Sequence, residues 1–185
     1  MRVILASKSP RRAELIKMLT DDVIITPSDA DESFREELSV YENVMNAAKA
    51  KAVSVKFGEI SKEDIILGAD TVVVLDGMVY GKPKDKDDAR NMIRSLSGRT
   101  HSVISGVCLI RDEKVLSFYD ETFVTFDELT DEEIEEYIST SEPYDKAGSY
   151  AIQGLAGKHI RKLDGCYFNV VGLPVNKIYN ELKNL

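Results

Sequence analysis

Apolar residues form short continuous runs in several parts of the chain, and such runs are typical of strands buried in a sheet. Val3–Ala6 is the first, and Ile65–Leu75 is apolar almost throughout, which predicts a central strand buried on both faces. Asp76 and Gly77 follow it as a hairpin turn signal that leads into a short strand at Met78–Tyr80. Further strands are predicted at Val23–Thr26, Ser102–Ile110, Val115–Phe126 and Ile160–Leu163.

Helices are predicted where a capping residue precedes apolar positions spaced three or four residues apart. Ser9 and Pro10 suit the N-cap and first position of a helix that continues to about Leu19. The other predicted helices are Ser39 to about Phe57 and Thr130 to about Ile138, both opened by capping boxes, and Asp87–Leu96 and Leu173–Leu182. The stretch Tyr144–Gly157 is glycine-rich and loop-like. These elements predict an α/β fold, a single domain over residues 1–185 with a long mixed sheet flanked by helices.

Composition and charge narrow the class of protein. The chain has 185 residues, of which 43% are hydrophobic, and this is enough for one packed domain and excludes a disordered tail. The net charge of −8 argues against binding to nucleic acid or to an anionic membrane. The apolar run Val3–Ala6 is too short for a secretory signal, and no run is long enough for a membrane helix. We therefore expect a soluble, cytoplasmic protein.

The segment Ser7-Lys8-Ser9-Pro10-Arg11-Arg12 lies between a predicted strand and a predicted helix. The free N–H groups and the positive dipole end of a helix N-terminus favour anions. Serine hydroxyls and arginine guanidinium groups add directional donors for phosphate oxygens. Spacing alone leaves two interpretations open, a phosphate-binding site and a solvated arginine pair on an ordinary capped helix.

Lys51 interrupts an apolar row on the second predicted helix. The row consists of Val40, Val44, Ala47, Lys51 and Val55, whose spacing of three and four residues places them on one helix face. An ammonium group in such a row either extends to reach water or meets an anion. A functional role and simple extension to solvent are both open.

Asp70 lies inside the apolar run that predicts the central strand. A carboxylate buried on both faces of a sheet is costly unless it is paired, protonated or bound to a metal. The alternative is an aspartate near a strand end that caps a neighbouring loop. Lys82 follows the predicted hairpin, from where its side chain can return to Asp70, although Lys82 alone is a weak signal.

Metal ligands are the remaining candidates for chemistry. Asp29, Asp31 and Glu32 form an acidic loop, and carboxylate oxygens suit Mg²⁺ or Mn²⁺. A solvated acidic loop is an equally good interpretation. The two histidines and two cysteines have no metal-ligand spacing, so we expect neither zinc nor a disulfide scaffold.

Together these features resemble the Maf family of nucleoside triphosphate pyrophosphatases, and the resemblance extends over almost the whole chain. The matching motifs are Ala6-Ser7-x-Ser9-Pro10-Arg11-Arg12, Asp31-Glu32, Ala47-x-Lys49-Ala50-Lys51-Ala52, Gly68-Ala69-Asp70-Thr71-Val72-Val73, Gly81-Lys82-Pro83, Leu96-Ser97-Gly98 and Ala147-Gly148-Ser149-Tyr150-x-Ile152-Gln153-Gly154. Each motif is weak alone, but their order and spacing are specific.

The resemblance implies a fold similar to inosine triphosphate pyrophosphatase. It also implies hydrolysis of nucleoside triphosphates to the monophosphate and pyrophosphate with a divalent cation, Mg²⁺ or Mn²⁺. The stretch Ala147–Gly154 looks like the branch that acts on dTTP and UTP, with modified pyrimidine nucleotides as a further option. The resemblance also implies a homodimer. Two alternatives stay open, 7-methyl-GTP as the substrate and a non-catalytic, nucleotide-binding regulator of cell division or septum formation.

The same resemblance assigns roles to individual residues. Asp70 matches the catalytic base, and Glu32 and Asp70 are the expected metal ligands. The expected substrate-binding residues are Ser7, Ser9, Arg12, Lys51 and Lys82, and those linked to base choice are Arg11, Thr71 and Gln153. The amide of Gln153 offers a donor and an acceptor for the O4 and N3–H edge that uracil and thymine share. Whether Asp70 accepts the proton of the attacking water or holds the metal is left open.

Overall fold

The structure is a computed structural model, and it describes residues 1–30, 33–55 and 60–185. The chain divides into two compact units. The first unit comprises Met1–Thr71, Ser105–Asp120 and Gly172–Leu185, and the second comprises Val72–Ile104 and Glu121–Val171. The single domain expected over residues 1–185 stays a prediction. No helix within the described ranges is long and apolar enough to cross a membrane.

Across the described ranges, the main feature of the fold is a mixed sheet of seven strands. The strands are β1 (Val3–Ala6), β2 (Val23–Thr26), β3 (Ile65–Leu75), β4 (Met78–Tyr80), β5 (Thr100–Arg111), β6 (Lys114–Phe126) and β7 (Ile160–Asp164). Their order is β2-β1-β3-β5-β6-β7, with β4 paired on β3. Strand β1 is parallel to β2 and β3, whereas β4 and β7 are antiparallel to their neighbours. The predicted α/β class is confirmed, and the first four strands have the predicted bounds.

Six α-helices are found in the described ranges. They are α1 (Pro10–Ile16), α2 (Val40–Val53), α3 (Lys86–Leu96), α4 (Asp131–Ile138), α5 (Tyr167–Val171) and α6 (Val175–Glu181). The stretch expected to be a loop, all of it described, overlaps three short 3-10 helices, Glu142–Asp145, Ala147–Ser149 and Leu155–His159.

Several helix ends differ from the prediction. Helix α3 begins at Lys86 rather than Asp87, and α6 comprises Val175–Glu181 rather than Leu173–Leu182. Helix α1 ends at Ile16 rather than Leu19, because the N–H groups of residues 17 to 19 bond to carbonyls three residues back, as in a 3-10 turn. Helix α2 ends at Val53, and its predicted end at Phe57 lies outside the described residues. Helix α5 was not predicted.

Two glycines bring α2 close to the sheet of the first unit. A Cβ atom on Gly68 of β3 would lie 2.1 Å from the carbonyl oxygen of Ala48, and one on Gly106 of β5 would lie 2.3 Å from that of Val44. No side chain fits between backbones at such a distance, so both positions require glycine. Because Lys51 lies one turn beyond Ala48, this packing carries its side chain toward β3.

The second unit has its own apolar core around α3 and α4. Its buried side chains include Ile93 and Leu96 from α3, Ile134 and Ile138 from α4, and Phe126 from β6. Capping boxes begin both α4 and α2, as predicted.

His101, one of the two histidines, is buried in that core. Its Nε2 lies 2.8 Å from the hydroxyl of Tyr150, and its ring meets those of Phe126 and Tyr150 edge-on. Burial lowers the pKa of His101 to about 4, so the imidazole is neutral near pH 7. His101 is therefore part of the core of the second unit.

Candidate active site

The strand register places the two main sequence motifs at the same edge of the sheet. Parallel strands β1 and β3 pair with Ala6 opposite Gly68. The segment from Ser7 to Arg12 therefore begins where β1 ends, while β3 continues past that point to Asp70 and Thr71. The carboxyl ends of parallel strands are the usual place for ligand sites in open α/β sheets.

Asp70 and Thr71 face opposite sides of the sheet, because successive strand side chains alternate. Gly68 and Asp70 share the side on which α2 lies, and Lys51 of α2 reaches Asp70. On the other side, Arg12 of α1 reaches Thr71. The first unit thus carries two polar clusters, one on each face of the sheet, at adjacent residues of β3.

The cluster on the α2 side is a largely buried ion pair. Lys51 Nζ donates to Asp70 Oδ1 over 2.8 Å, and the two side chains are only 9% and 13% exposed. Each charge has the opposite charge that burial demands. Lys51 thus holds one of the two carboxylate oxygens, and no hydrogen bond to Asp70 Oδ2 is found within the described ranges.

The cluster on the α1 side holds a guanidinium group in a fixed direction. Arg12 donates from Nε to the Gly172 carbonyl over 2.8 Å and from Nη2 to Thr71 Oγ1 over 2.9 Å. The Thr71 hydroxyl is also hydrogen-bonded to Ser105 Oγ, 2.8 Å away, and Ser105 is fully buried. Sequence reasoning missed Ser105 and Gly172, because a serine in an apolar strand and a glycine before a helix carry no functional signal.

The two serines before α1 are bound to the local backbone. Ser9 Oγ accepts from the Arg12 N–H over 3.4 Å, which confirms the predicted N-cap, and Ser7 Oγ accepts from the Ser9 N–H over 3.1 Å. A hydroxyl that accepts keeps its own hydrogen to donate. Both can therefore still donate to an anion. Arg11, half-buried, follows Pro10 in the first turn of α1.

Lys82 and Gln153 belong to the second unit, where both side chains are exposed. The segments that carry them are joined, since the Gly148 N–H donates to the Gly81 carbonyl over 3.0 Å. Gly148 has a φ of 67°, and a Cβ there would lie 2.8 Å from Val73 Cγ2, so the residue must be glycine. Lys82 and the Ala147–Gly154 stretch are thus neighbours within this unit.

The expected metal ligands are only partly within the described residues. Glu32 and Asp31 lie outside them. Asp29 pairs with Lys8 at 2.6 Å, and that hydrogen bond lowers the pKa of Asp29. Over residues 1–30, 33–55 and 60–185, no three His, Cys, Asp or Glu side chains are grouped so that they could hold a metal ion.

The fold resembles a solved structure. That of the Staphylococcus aureus Ham1 protein matches with a TM-score of 0.55 and 12% identity, covering 100% of this chain and 99% of that one. At this identity the likeness concerns the fold alone. It confirms the expected fold of the inosine triphosphate pyrophosphatase type.

The sequence is similar to curated proteins over its full length. Proteins named dTTP/UTP pyrophosphatase from Caldicellulosiruptor bescii and Clostridium botulinum are 47% and 48% identical, covering 100% and 99% of this chain and 94% and 98% of theirs. One of the same name from Bacillus cereus is 43% identical over 98% of this chain and 94% of its own length. The family model described as Maf-like protein matches residues 2–185. The chain therefore belongs to the Maf family.

Proposed function

We propose that this chain hydrolyses dTTP and UTP to the nucleoside monophosphate and pyrophosphate by attack of water on the α-phosphorus. The observation that carries the proposal is the buried pair of Lys51 and Asp70, with one carboxylate oxygen held at 2.8 Å, beside the strand end that leads to Arg12. The names of full-length relatives at 43–48% identity support the substrate.

Donors of the first unit hold the triphosphate, and the role of Lys82 as a further phosphate-binding residue rests on the resemblance to the family alone. The Ser7 and Ser9 hydroxyls donate to phosphate oxygens, and Arg12 presents a guanidinium group fixed by its bonds to Gly172 and Thr71. Together with Lys51, these groups neutralise charge that moves onto the leaving pyrophosphate. A fixed donor stabilises this charge better than a mobile one because it does not have to reorganise during the reaction.

Asp70 supplies the negative oxygen that activates the attacking water. Lys51 holds Oδ1, and we assign Oδ2 the role of taking a proton from water or of binding the cation. An oxygen ligand set fits Mg²⁺ or Mn²⁺, and Mg²⁺ usually needs only one or two carboxylates beside substrate phosphates. Asp70 and Glu32 would hold this ion, which supplies phosphate neutralisation and acidified water.

Base choice is assigned to Gln153, Arg11 and Thr71. The exposed amide of Gln153 makes no hydrogen bond to the described residues, so both its donor and its acceptor are available to a pyrimidine edge. A site that pairs polar groups with a base rejects a mismatched base strongly, because its own groups are then left unpaired.

The experiment is a nucleotide panel with pyrophosphate detection. The purified chain is incubated with dTTP, UTP, CTP and 7-methyl-GTP, each with Mg²⁺ or Mn²⁺ and with chelator. We expect rapid pyrophosphate release from dTTP and UTP that chelator abolishes. Faster pyrophosphate release from 7-methyl-GTP would identify that nucleotide as the substrate in place of dTTP and UTP. Binding of dTTP without hydrolysis would favour a non-catalytic regulator of cell division.

Two further expectations concern the state of the protein. We propose a homodimer in solution, which light scattering tests against a monomer mass of 20.7 kDa. We also propose a cytoplasmic location, which cell fractionation tests.

A further inference from the structure

The Glu142 carboxylate binds the backbone of the chain shortly after Gln153. Glu142 Oε2 accepts from the Leu155 N–H over 2.8 Å, and Oε1 accepts from the Ala156 N–H over 3.2 Å. The Tyr137 hydroxyl donates to the same Oε1 over 3.0 Å. Two backbone donors and one hydroxyl thus converge on one side chain, and charge-assisted bonds of this kind are the strong ones.

Tyr137, which donates to Glu142, also lies close to the backbone before Gln153. Its side chain is 4% exposed, and its hydroxyl also contacts the backbone of Ala151. Burial, followed by the nearby charge of Glu142, raises the pKa of Tyr137, so the phenol stays protonated and remains a donor. Glu142 therefore holds the backbone at the second and third residues after Gln153, and the Gly154 N–H closes the turn that contains Gln153 by donating to the Ala151 carbonyl over 3.2 Å.

The fit between this loop and Glu142 leaves no spare room. A Cβ on Gly154 would lie 2.0 Å from Glu142 Oε2 and 2.4 Å from its Cδ. The carboxylate can move aside only by losing hydrogen bonds from the three that fix it. The position of the Glu142 carboxylate therefore requires a glycine at position 154.

The orientation of Gln153 depends on its backbone. Its side chain is exposed and makes no hydrogen bond within the part of the chain that the structure describes. The direction of its amide is therefore set by the backbone on either side, which is the part that Tyr137 and Glu142 hold.

We propose that Glu142 and Tyr137 are positioning residues for base selection, which act by fixing the backbone that carries Gln153. This inference rests on the proposed function, because it requires Gln153 to read the base. It adds two residues to which the proposed function gives no contact with the phosphates or the reacting water.

The expected consequence is a loss of discrimination rather than a loss of chemistry. A displacement of about 1 Å in a positioned group can cost about 100-fold in rate. We expect a smaller cost here, because only the base and not the phosphate is misaligned. The ratio of kcat/KM for dTTP to that for CTP should fall at least about tenfold.

The test compares three substitutions. Glu142→Gln keeps the size of the side chain but turns one acceptor into a donor that faces backbone N–H groups, and Tyr137→Phe removes only the hydroxyl. Glu132→Gln is the matched control, because it removes one charge from the exposed side of α4 and makes no hydrogen bond to the described residues. Each variant is assayed for kcat and KM with dTTP and CTP, and for Tm.

We expect the first two substitutions to lower the dTTP to CTP ratio mainly through KM for dTTP, with Glu132→Gln unchanged. A role in stability alone would lower Tm and leave the ratio as it is, and this result overturns the inference. Gln153→Ala is the reference, and a ratio that responds to Glu142→Gln but not to Gln153→Ala also overturns it.

A double-mutant cycle links the carboxylate to the loop. Gly154→Ala displaces the Glu142 carboxylate from the loop side, so adding it to Glu142→Gln should change the ratio little further. Independent, additive effects contradict the coupling. If the wild-type chain releases no pyrophosphate from dTTP or UTP, the proposed function itself fails, whereas normal wild-type selectivity with unaffected variants overturns this inference alone.

Discussion

Removal of the Lys51 ammonium group tests the pairing at the centre of the candidate site. Lys51→Met keeps the length of the stem and leaves the Asp70 carboxylate without its cation in a position only 13% exposed. Breaking a buried pair from one side costs about 3–5 kcal/mol, because the remaining charge is uncompensated. We expect about 3 kcal/mol, the lower end, since Asp70 keeps some contact with solvent.

Adding Asp70→Asn to Lys51→Met should recover part of this loss. The stranded charge is then gone, so the double variant should be at least about 1 kcal/mol more stable than the sum of the two single changes implies. The double variant should nevertheless be inactive, because it lacks the carboxylate.

Urea unfolding measured at a common m-value gives the free energies of unfolding for this cycle. Lys49→Met is the control, because Lys49 is exposed on the same helix, and it should change stability by no more than about 0.5 kcal/mol. Strict additivity of the Lys51 and Asp70 changes, or a loss at Lys51 no larger than at Lys49, would refute the argument that burial makes this pair interdependent.

Three other predictions concern the second unit. Lys82→Ala should lower kcat/KM for dTTP by about 10–100-fold, the scale of a lost charge-assisted bond, and unchanged kinetics would place Lys82 outside the site. Gln153→Glu removes the amide donor and should shift the dTTP to CTP ratio at least about tenfold, whereas an unaltered ratio would assign selectivity elsewhere. Burial lowers the pKa of His101 to about 4 in the folded chain, below its value of 6.5 in the unfolded chain. Between these two pH values the unfolded chain binds more protons, so the free energy of unfolding decreases as the pH is lowered from about 6.5 to about 4. Wild type should lose about 2 kcal/mol between pH 7 and pH 5 relative to His101→Gln, and equal pH slopes in urea unfolding would count against a neutral buried ring.

Local sequence patterns were sufficient to locate the strands that build the site. The bounds of β1 and β3 follow from continuous apolar runs, and the N-cap at Ser9 follows from the side chain that best accepts backbone N–H groups. Helix α5 escaped prediction because its five residues are too few to show a helical period.

The candidate site shows where such reasoning ends. Lys51 and Asp70 each broke an apolar pattern, so the sequence indicated that both needed a partner, but it did not indicate that they are partners of each other. That pairing depends on how Gly68 lets α2 approach β3, which is a tertiary contact.

The contacts of Arg12 were even harder to predict from the sequence. Its partners Thr71 and Gly172 are 59 and 160 residues away along the chain. No local spacing constrains contacts at such separations, and the strand register and the packing of α1 decide them. The same holds for Glu142, whose role depends on how a 3-10 helix returns toward it.

The central claim is that Asp70 drives attack of water on the α-phosphorus of dTTP. Its most direct test is hydrolysis in ¹⁸O-labelled water by wild type and by Asp70→Asn, with phosphorus NMR of both products and a titration of Mg²⁺. We predict that the label enters dTMP and not pyrophosphate, and that the variant stays folded but loses at least about 100-fold in rate. Label in pyrophosphate, or near-normal turnover by Asp70→Asn, would contradict the account.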